Sequence, residues 1–339
     1  MSDGTPPRRV TIREVAQAAG VSLATVSKVL NDRYGVAEST ADRVRTVIDE
    51  LGYETSLVAR SLRTGRTDVV GVLVADIEPF STEVLKGVAD VFRGTGYELV
   101  AYAAAARVGD HIGWEQRQLS RLGGTLIDGA VLVTPTVTDI VATVPVVAVD
   151  PHAGKPGLPV VDSDNLHGGY LAGKHLVELG HQDIAMLTGR SDLVSARLRE
   201  QGFRAALAEA GLPPENLVFS PGDFDPDVAE KSAYKLLTAD RRPTAIFASN
   251  DATALVTIDV ARRLGLDVPD DLSIVGFDNV PEAAMSTPGL TTVEQPIREM
   301  GRRAARMLLD RLGPDAEGGS PEHVQLDTRL VVRSSTAPM

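Results

Sequence analysis

The sequence predicts a multidomain chain: a small all-α helix-turn-helix module, then an α/β domain of parallel sheets that divides in two. Three observations carry this. The 339 residues exceed one ordinary domain of ~150. Net charge is −12, yet residues 1 to 66 hold ten basic and eight acidic side chains while the remainder holds 24 and 38. The first strand-like run begins only at Val69, after which β-branched runs alternate with helical stretches.

In the module, Thr11 and Glu14 stand at capping-box spacing, so a helix is expected to start there, with the Thr11 hydroxyl accepting from the Glu14 amide. Ile12, Val15, Ala16 and Ala19 form its apolar face, and Gly20 supplies the left-handed turn that ends it. Ser22 is the next N-cap, so three or four residues separate two helices, the helix-turn-helix interval. The second helix buries Val26, Val29 and Leu30. Its other face presents Leu23, Ala24, Ser27 and Lys28, small or apolar groups for thymine methyls and one cation for guanine or phosphate. Glu38 to Leu51 makes a third helix, in which Ala41, Val44, Ile48 and Leu51 close a mini-core.

The linker SLVARSLRTGRTD departs from Gly/Ser/Pro composition, carrying helix formers, three arginines and Leu57, Val58 and Leu62. It has the makings of a helix that forms only against a partner. Leu62 beside Arg60 and Arg63 reads either as a minor-groove wedge between phosphate contacts or as packing on the large domain.

From Val69 the runs VVGVLVA, YELVAYA, GAVLV, PVVAV, DIAMLT, TAIFAS and LSIVGF alternate with helices of ten or more residues, the pattern of parallel sheets covered on both faces. About 270 residues is large for one core, so two subdomains are expected. The end reads as a helix with Ile297, Met300, Ala304 and Leu308 on one face, the linker GPDAEGGSPE, and one strand with Val324, Leu326, Thr328, Leu330 and Val332 at period two.

The absence of cysteine removes disulfides, thiolate metal sites and cysteine nucleophiles. GGYLAGKH imitates a phosphate loop, but His175 takes the required Ser/Thr position, and the six histidines lack metal-ligand spacing. No enzyme, cofactor or metal is expected. With no signal-peptide core and no apolar run of membrane length, a soluble cytoplasmic protein without a membrane partner is expected.

VTIREVAQAAGVSLATVSKVLN, ELGYETSLVARSLRTGRT, SARLREQGFRAAL, FASNDATAL, LSIVGFDN and LTTVEQP together resemble the lactose-repressor/galactose-repressor (LacI/GalR) family of bacterial transcription regulators across essentially the whole chain. The resemblance implies a homodimer on a pseudo-palindromic double-stranded operator, working at the nucleoid, with Val58 meeting its mate across the dimer axis and Leu62 as the wedge. DNA contacts would come from Thr11, Ser22, Leu23, Ala24, Thr25, Ser27, Lys28, Asn31, Arg60, Leu62 and Arg63. Many relatives have arginine in place of Lys28, and lysine lacks the planar fork. The implied plan is a helix-turn-helix domain at 1–54, a hinge at 55–67 and a periplasmic-binding-protein-like effector domain at 68–339. Its subdomains would be about 68–162 with 293–322, and 164–290 with 324–335.

Family positions transferred one by one give Phe80, Asp150, Arg197, Phe224, Asn250 and Asp278 as effector contacts, each at the end of a strand or the start of a loop or helix. Carboxylates, an amide and a guanidinium paired with aromatic faces suit a mono- or oligosaccharide. The leading expectation is a repressor released by a small sugar. Its alternatives are a corepressor-dependent repressor answering to a purine or a phosphorylated carrier protein, and a sugar-binding protein that does not bind DNA.

Overall fold

The computed structural model describes residues 10–30, 34–53, 66–104, 113–152, 157–213, 216–313 and 322–339. The chain divides into two compact units between Arg66 and Thr67.

The first unit contains α1 (Ile12–Ala19), α2 (Leu23–Val29) and α3 (Glu38–Leu51). Gly20 and Gly52 end α1 and α3 at φ of 63° and 62°, left-handed positions that glycine occupies without steric cost. Val15, Ala16, Ala19, Val26, Val29 and Val44 make the core. The expected capping box forms: the Thr11 side chain accepts from the Glu14 backbone, and the Glu14 carboxylate accepts the Thr11 amide (2.7 Å) and the Thr11 hydroxyl (2.8 Å). One expectation is corrected. Leu51, in the last turn of α3, is exposed, and Val47 and Tyr53 pack on the core with Ala41 and Ile48.

The second unit holds two six-stranded sheets. The first runs β11-β5-β4-β3-β1-β2, from β1 (Val69–Val74), β2 (Glu98–Ala103), β3 (Gly129–Val133), β4 (Val146–Val149), β5 (Val160–Ser163) and β11 (His323–Leu326), all parallel. Every residue of β1, β3 and β4 is buried, as strands covered on both faces require. Helices α4 (Pro79–Phe92), α5 (Trp114–Leu122) and α11 (Ile297–Leu312) belong to this lobe, and Val84, Val88, Met300, Ala304 and Leu308 share one core with Val72 and Val131.

The second sheet runs β12-β10-β9-β8-β6-β7, from β6 (Ile184–Thr188), β7 (Leu217–Pro221), β8 (Ala245–Ala248), β9 (Ser273–Asp278), β10 (Thr291–Glu294) and β12 (Arg329–Val331). Only β12 is antiparallel, against β10. Helices α6 (Asn165–Glu178), α7 (Val194–Glu209), α8 (Pro226–Leu237), α9 (Asp251–Arg263) and the short α10 (Pro281–Met285) complete the lobe. Helices α6 and α7 approach with backbones almost touching: a Cβ on Gly169 would stand 2.0 Å from the Arg199 carbonyl oxygen, and one on Gly202 1.9 Å from that of Leu166.

The chain crosses between lobes after β5, after β10 and between β11 and β12, which moves two of the subdomain limits read from the sequence. Thr291–Glu294 pairs with β9, so the second crossing falls at Gln295 and Pro296 rather than before 293. The expected single last strand is two strands in different sheets, Val324 opposite Val161 and Leu330 opposite Val293, so the third crossing falls at Asp327 and Thr328 rather than at 322–324. Side chains keep period two through an extended link, so a change of sheet leaves no mark in the pattern. The crossings are tied: Asp164 donates its amide to the Leu326 carbonyl (2.9 Å), and Thr328 its hydroxyl to the Asp164 carbonyl (3.1 Å). Among the described residues no helix is long and apolar enough to cross a membrane.

Candidate functional site

In the first unit, the Ser22 hydroxyl oxygen accepts the Thr25 amide (3.1 Å) and shares a hydrogen bond with the Thr25 hydroxyl (2.9 Å), so these two residues fix the start of α2. Leu23, Ala24 and Lys28 are exposed and Ser27 half-buried along its outer face. An exposed leucine in the first turn of a short helix is a surface without an internal role. Asn31, Val58, Arg60, Leu62 and Arg63 lie outside the described residues.

The second unit has a cleft of about 590 Å³ between its lobes. Five of the six expected effector residues line it: Phe80, Asp150, Phe224, Asn250 and Asp278. Each is set by a local device. Glu78 caps α4, accepting the amides of Phe80 and Ser81 (both 2.8 Å), which fixes where Phe80 enters. Asn250 caps α9, its side-chain Oδ1 accepting the Thr253 amide at 3.0 Å. Asp150 and Asp278 end β4 and β9 on left-handed backbone, φ 47° and 114°. Thr134, Asp223 and Phe224, also in the cleft, share that conformation. Of seven described non-glycine residues with positive φ, five therefore line one cavity. Such backbone costs on the order of 1 kcal/mol or more per residue, and concentrated strain of this kind marks a ligand site.

Arg197 is not among the lining residues. It is exposed and donates to the Ser191 carbonyl (2.9 Å), whereas Arg199, two residues on, is buried in the cleft floor. Two helical steps turn about 200°, so only one of the pair can face inward. Arg199 donates Nε to Asn165 Oδ1 (2.8 Å) and Nη1 to the Ser249 carbonyl (2.6 Å), lies 3.5 Å from the Asp278 carboxylate, and packs 3.8 Å above the Phe277 ring centroid. Its signal was present in the sequence: Arg199 shares a stripe with Ser195, Phe203 and Ala206, all buried. Asp76, His152 and Arg190 also line the cleft from loops whose composition gave no sign of it.

Electrostatically the floor has more carboxylate than cation. Burial pushes Asp278 up to about 7, opposed by Arg199 and by the Gln295 amide that donates to it at 2.6 Å, and reinforced by Glu78 and Asp150. Burial likewise raises Asp150 to about 6, with Arg199 opposing and Asp162 adding. Gln295 also accepts the Ser163 hydroxyl (2.5 Å), so two of the three crossings meet behind Asp278. The floor offers acceptors, one fixed guanidinium and two phenyl rings, a set that binds a ring bearing several hydroxyl or N–H donors.

Residues 11–56 match the family of bacterial regulatory proteins of the lacI type, and residues 174–336 match the periplasmic binding protein-like domain. A curated relative from Yersinia pestis, the HTH-type transcriptional repressor PurR, is 35% identical over 336 residues, 96% of this chain and 97% of that protein. Among solved structures, the transcriptional regulator CelR in complex with cellobiose aligns at 32% identity and TM-score 0.69, covering 96% of this chain and all of that one. The lac repressor dimer bound to operator and the anti-inducer ONPF aligns at 26% identity and TM-score 0.80, covering 97% of this chain and all of that one. Together these define a DNA-binding regulator rather than an enzyme. The chain belongs to the LacI family of bacterial regulatory proteins.

Proposed function

We propose that the protein is a dimeric repressor that binds a pseudo-palindromic operator and is released when a small saccharide enters the cleft. The observation that carries the effector class is the cleft floor: Arg199 between Asp278 and Asp150, with Phe80 and Phe224 in the same cavity. Vicinal hydroxyls bridge carboxylate and guanidinium in pairs, while the C–H face of a sugar ring lies on a phenyl ring. Four effector residues beside the phenylalanines follow: Asp150, Arg199, Asn250 and Asp278. On the DNA side, Leu23, Ala24 and Ser27 would meet base edges and Lys28 a guanine or a phosphate, with Thr11, Ser22, Thr25 and Asn31 near the backbone. Arg60, Leu62 and Arg63 would act from the hinge, and Val58 would pair across the dimer axis.

A second reading, a purine corepressor that tightens DNA binding, is favoured by one observation: the full-length relative named PurR stands at 35% identity, above the cellobiose-bound regulator at 32%. Kinship along the whole chain supports this second reading, while the chemistry of the cleft supports the first. The two predict opposite signs. Thermal-shift screening of mono- and oligosaccharides and purine bases, with Arg199→Ala as control, should give stabilisation by a sugar that the variant abolishes. Stabilisation by purine bases alone would transfer the proposal to the second reading.

A further inference from the structure

His152 stands where the two lobes meet at the cleft, and three of its groups have separate tasks. Its amide donates to the Pro135 carbonyl of its own lobe (2.9 Å). Its carbonyl accepts the amide of Val194, the first residue of α7 on the opposite lobe (3.0 Å). Helix α7 has no side-chain cap at Leu193, so the His152 carbonyl satisfies a helix-terminal N–H that the helix itself leaves open. His152 is one of the residues that line the cleft, and its Nδ1 is buried with no hydrogen-bond partner among the described residues. Buried polar atoms are rarely left unpaired, so an orphan nitrogen on a cleft-lining residue calls for a partner.

The groups facing this ring define its state. Burial, with the Arg190 guanidinium beside it, lowers its pKa to about 4 against the pull of Asp192, which Arg190 holds in a two-pronged pair (3.1 and 2.6 Å). The ring is neutral at physiological pH and offers one donor and one acceptor nitrogen.

We propose that His152 is an effector-contact residue that couples occupancy to lobe closure: the ligand hydrogen-bonds its Nδ1, and the same residue holds the N-terminus of α7, the helix that carries Arg199. The inference rests on the cleft being the effector site and not on the class of effector. Neither the composition of PHAGK nor the six expected contacts pointed to it.

The experiment compares His152→Phe, His152→Asn and His152→Gln in the full chain. Asparagine keeps a polar atom at the Nδ1 position, glutamine keeps one at the Nε2 position, and phenylalanine keeps the ring alone. Without ligand, His152→Phe should melt no lower than the wild type, because it removes an unpaired buried nitrogen. A fall of more than about 3 °C would show that Nδ1 serves the fold and would overturn the proposal. With cellobiose and guanine as calorimetric probes, whichever binds the wild type should bind His152→Asn within about threefold, and His152→Phe and His152→Gln about tenfold or more weaker. Equal binding by all four proteins would also overturn it. If the wild type binds neither probe, both effector readings fail as tested, and a ligand-free melting temperature of His152→Phe more than about 3 °C below the wild type still overturns the role of His152.

Discussion

Arg199 and Asp278 face each other at 3.5 Å across the cleft floor, both buried, and each is held by groups that are not ligands. Asn165 and the Ser249 carbonyl fix the guanidinium, and Gln295 fixes the carboxylate. The pair thus stands ready: Asn165, the first residue of α6, touches Arg199, and Gln295, just after β10, touches Asp278. A ligand that pulls on either oxygen or guanidinium also pulls on the lobe crossings, which is how binding in the cleft can change the arrangement of the lobes.

Exchanging the two neighbouring arginines separates site from surface. Arg199→Ala leaves a buried carboxylate unpaired and should cost ~3–5 kcal/mol of stability and abolish effector binding. Arg197→Ala should change stability by less than about 0.5 kcal/mol and leave effector binding intact. Chemical denaturation and calorimetry check both.

The pH response follows from Asp278, whose folded pKa of about 7 lies above the ordinary 3.8. Between those values the folded protein keeps a proton that the unfolded chain has released, so this group's contribution to stability declines as pH rises from about 4 to about 7 and is level above. Melting followed over that window should show a decline that is smaller in Asp278→Asn. A donor ligand favours the ionised carboxylate, so its binding should release protons near pH 7, measurable as a buffer-dependent heat.

Gly202→Ala should be destabilising by ~1–3 kcal/mol or more, because a Cβ there has no room against the Leu166 carbonyl and α7 cannot move off α6 without moving Arg199. Weakened effector binding beside lowered Tm is the expected pair of results; a neutral substitution would contradict the close helix approach.

On the DNA side, Lys28→Ala should weaken operator binding and reduce the slope of log affinity against log salt by about 1 if the ammonium meets a phosphate. Leu23→Ala should alter sequence preference with the salt slope unchanged. Binding titrations at several salt concentrations distinguish them.

The first unit was legible because its signals are local: Gly20, Ser22 and Gly52 each act within one turn of their own position. The alternating strands were legible too, since parallel sheets demand runs as apolar as VVGVLV. What the sequence concealed was non-local. The split of Val324 to Val332 between two sheets depends on partners 160 and 40 residues away, and extended chain looks alike in either. Arg197 was preferred to Arg199 by motif position, although the helical stripe through Ser195 and Phe203 already favoured Arg199. His152 and Arg190 sit in loops, where no periodicity tells which way a side chain faces.

The most direct test of the central claim is fluorescence anisotropy of a labelled operator, taken from the protein's own upstream region, titrated with protein in the presence and absence of the saccharide that stabilises it in a thermal screen. The account predicts that the saccharide weakens operator binding in the wild type and has no effect on Arg199→Ala. Operator binding unchanged by any sugar, and tightened by a purine base, would contradict it.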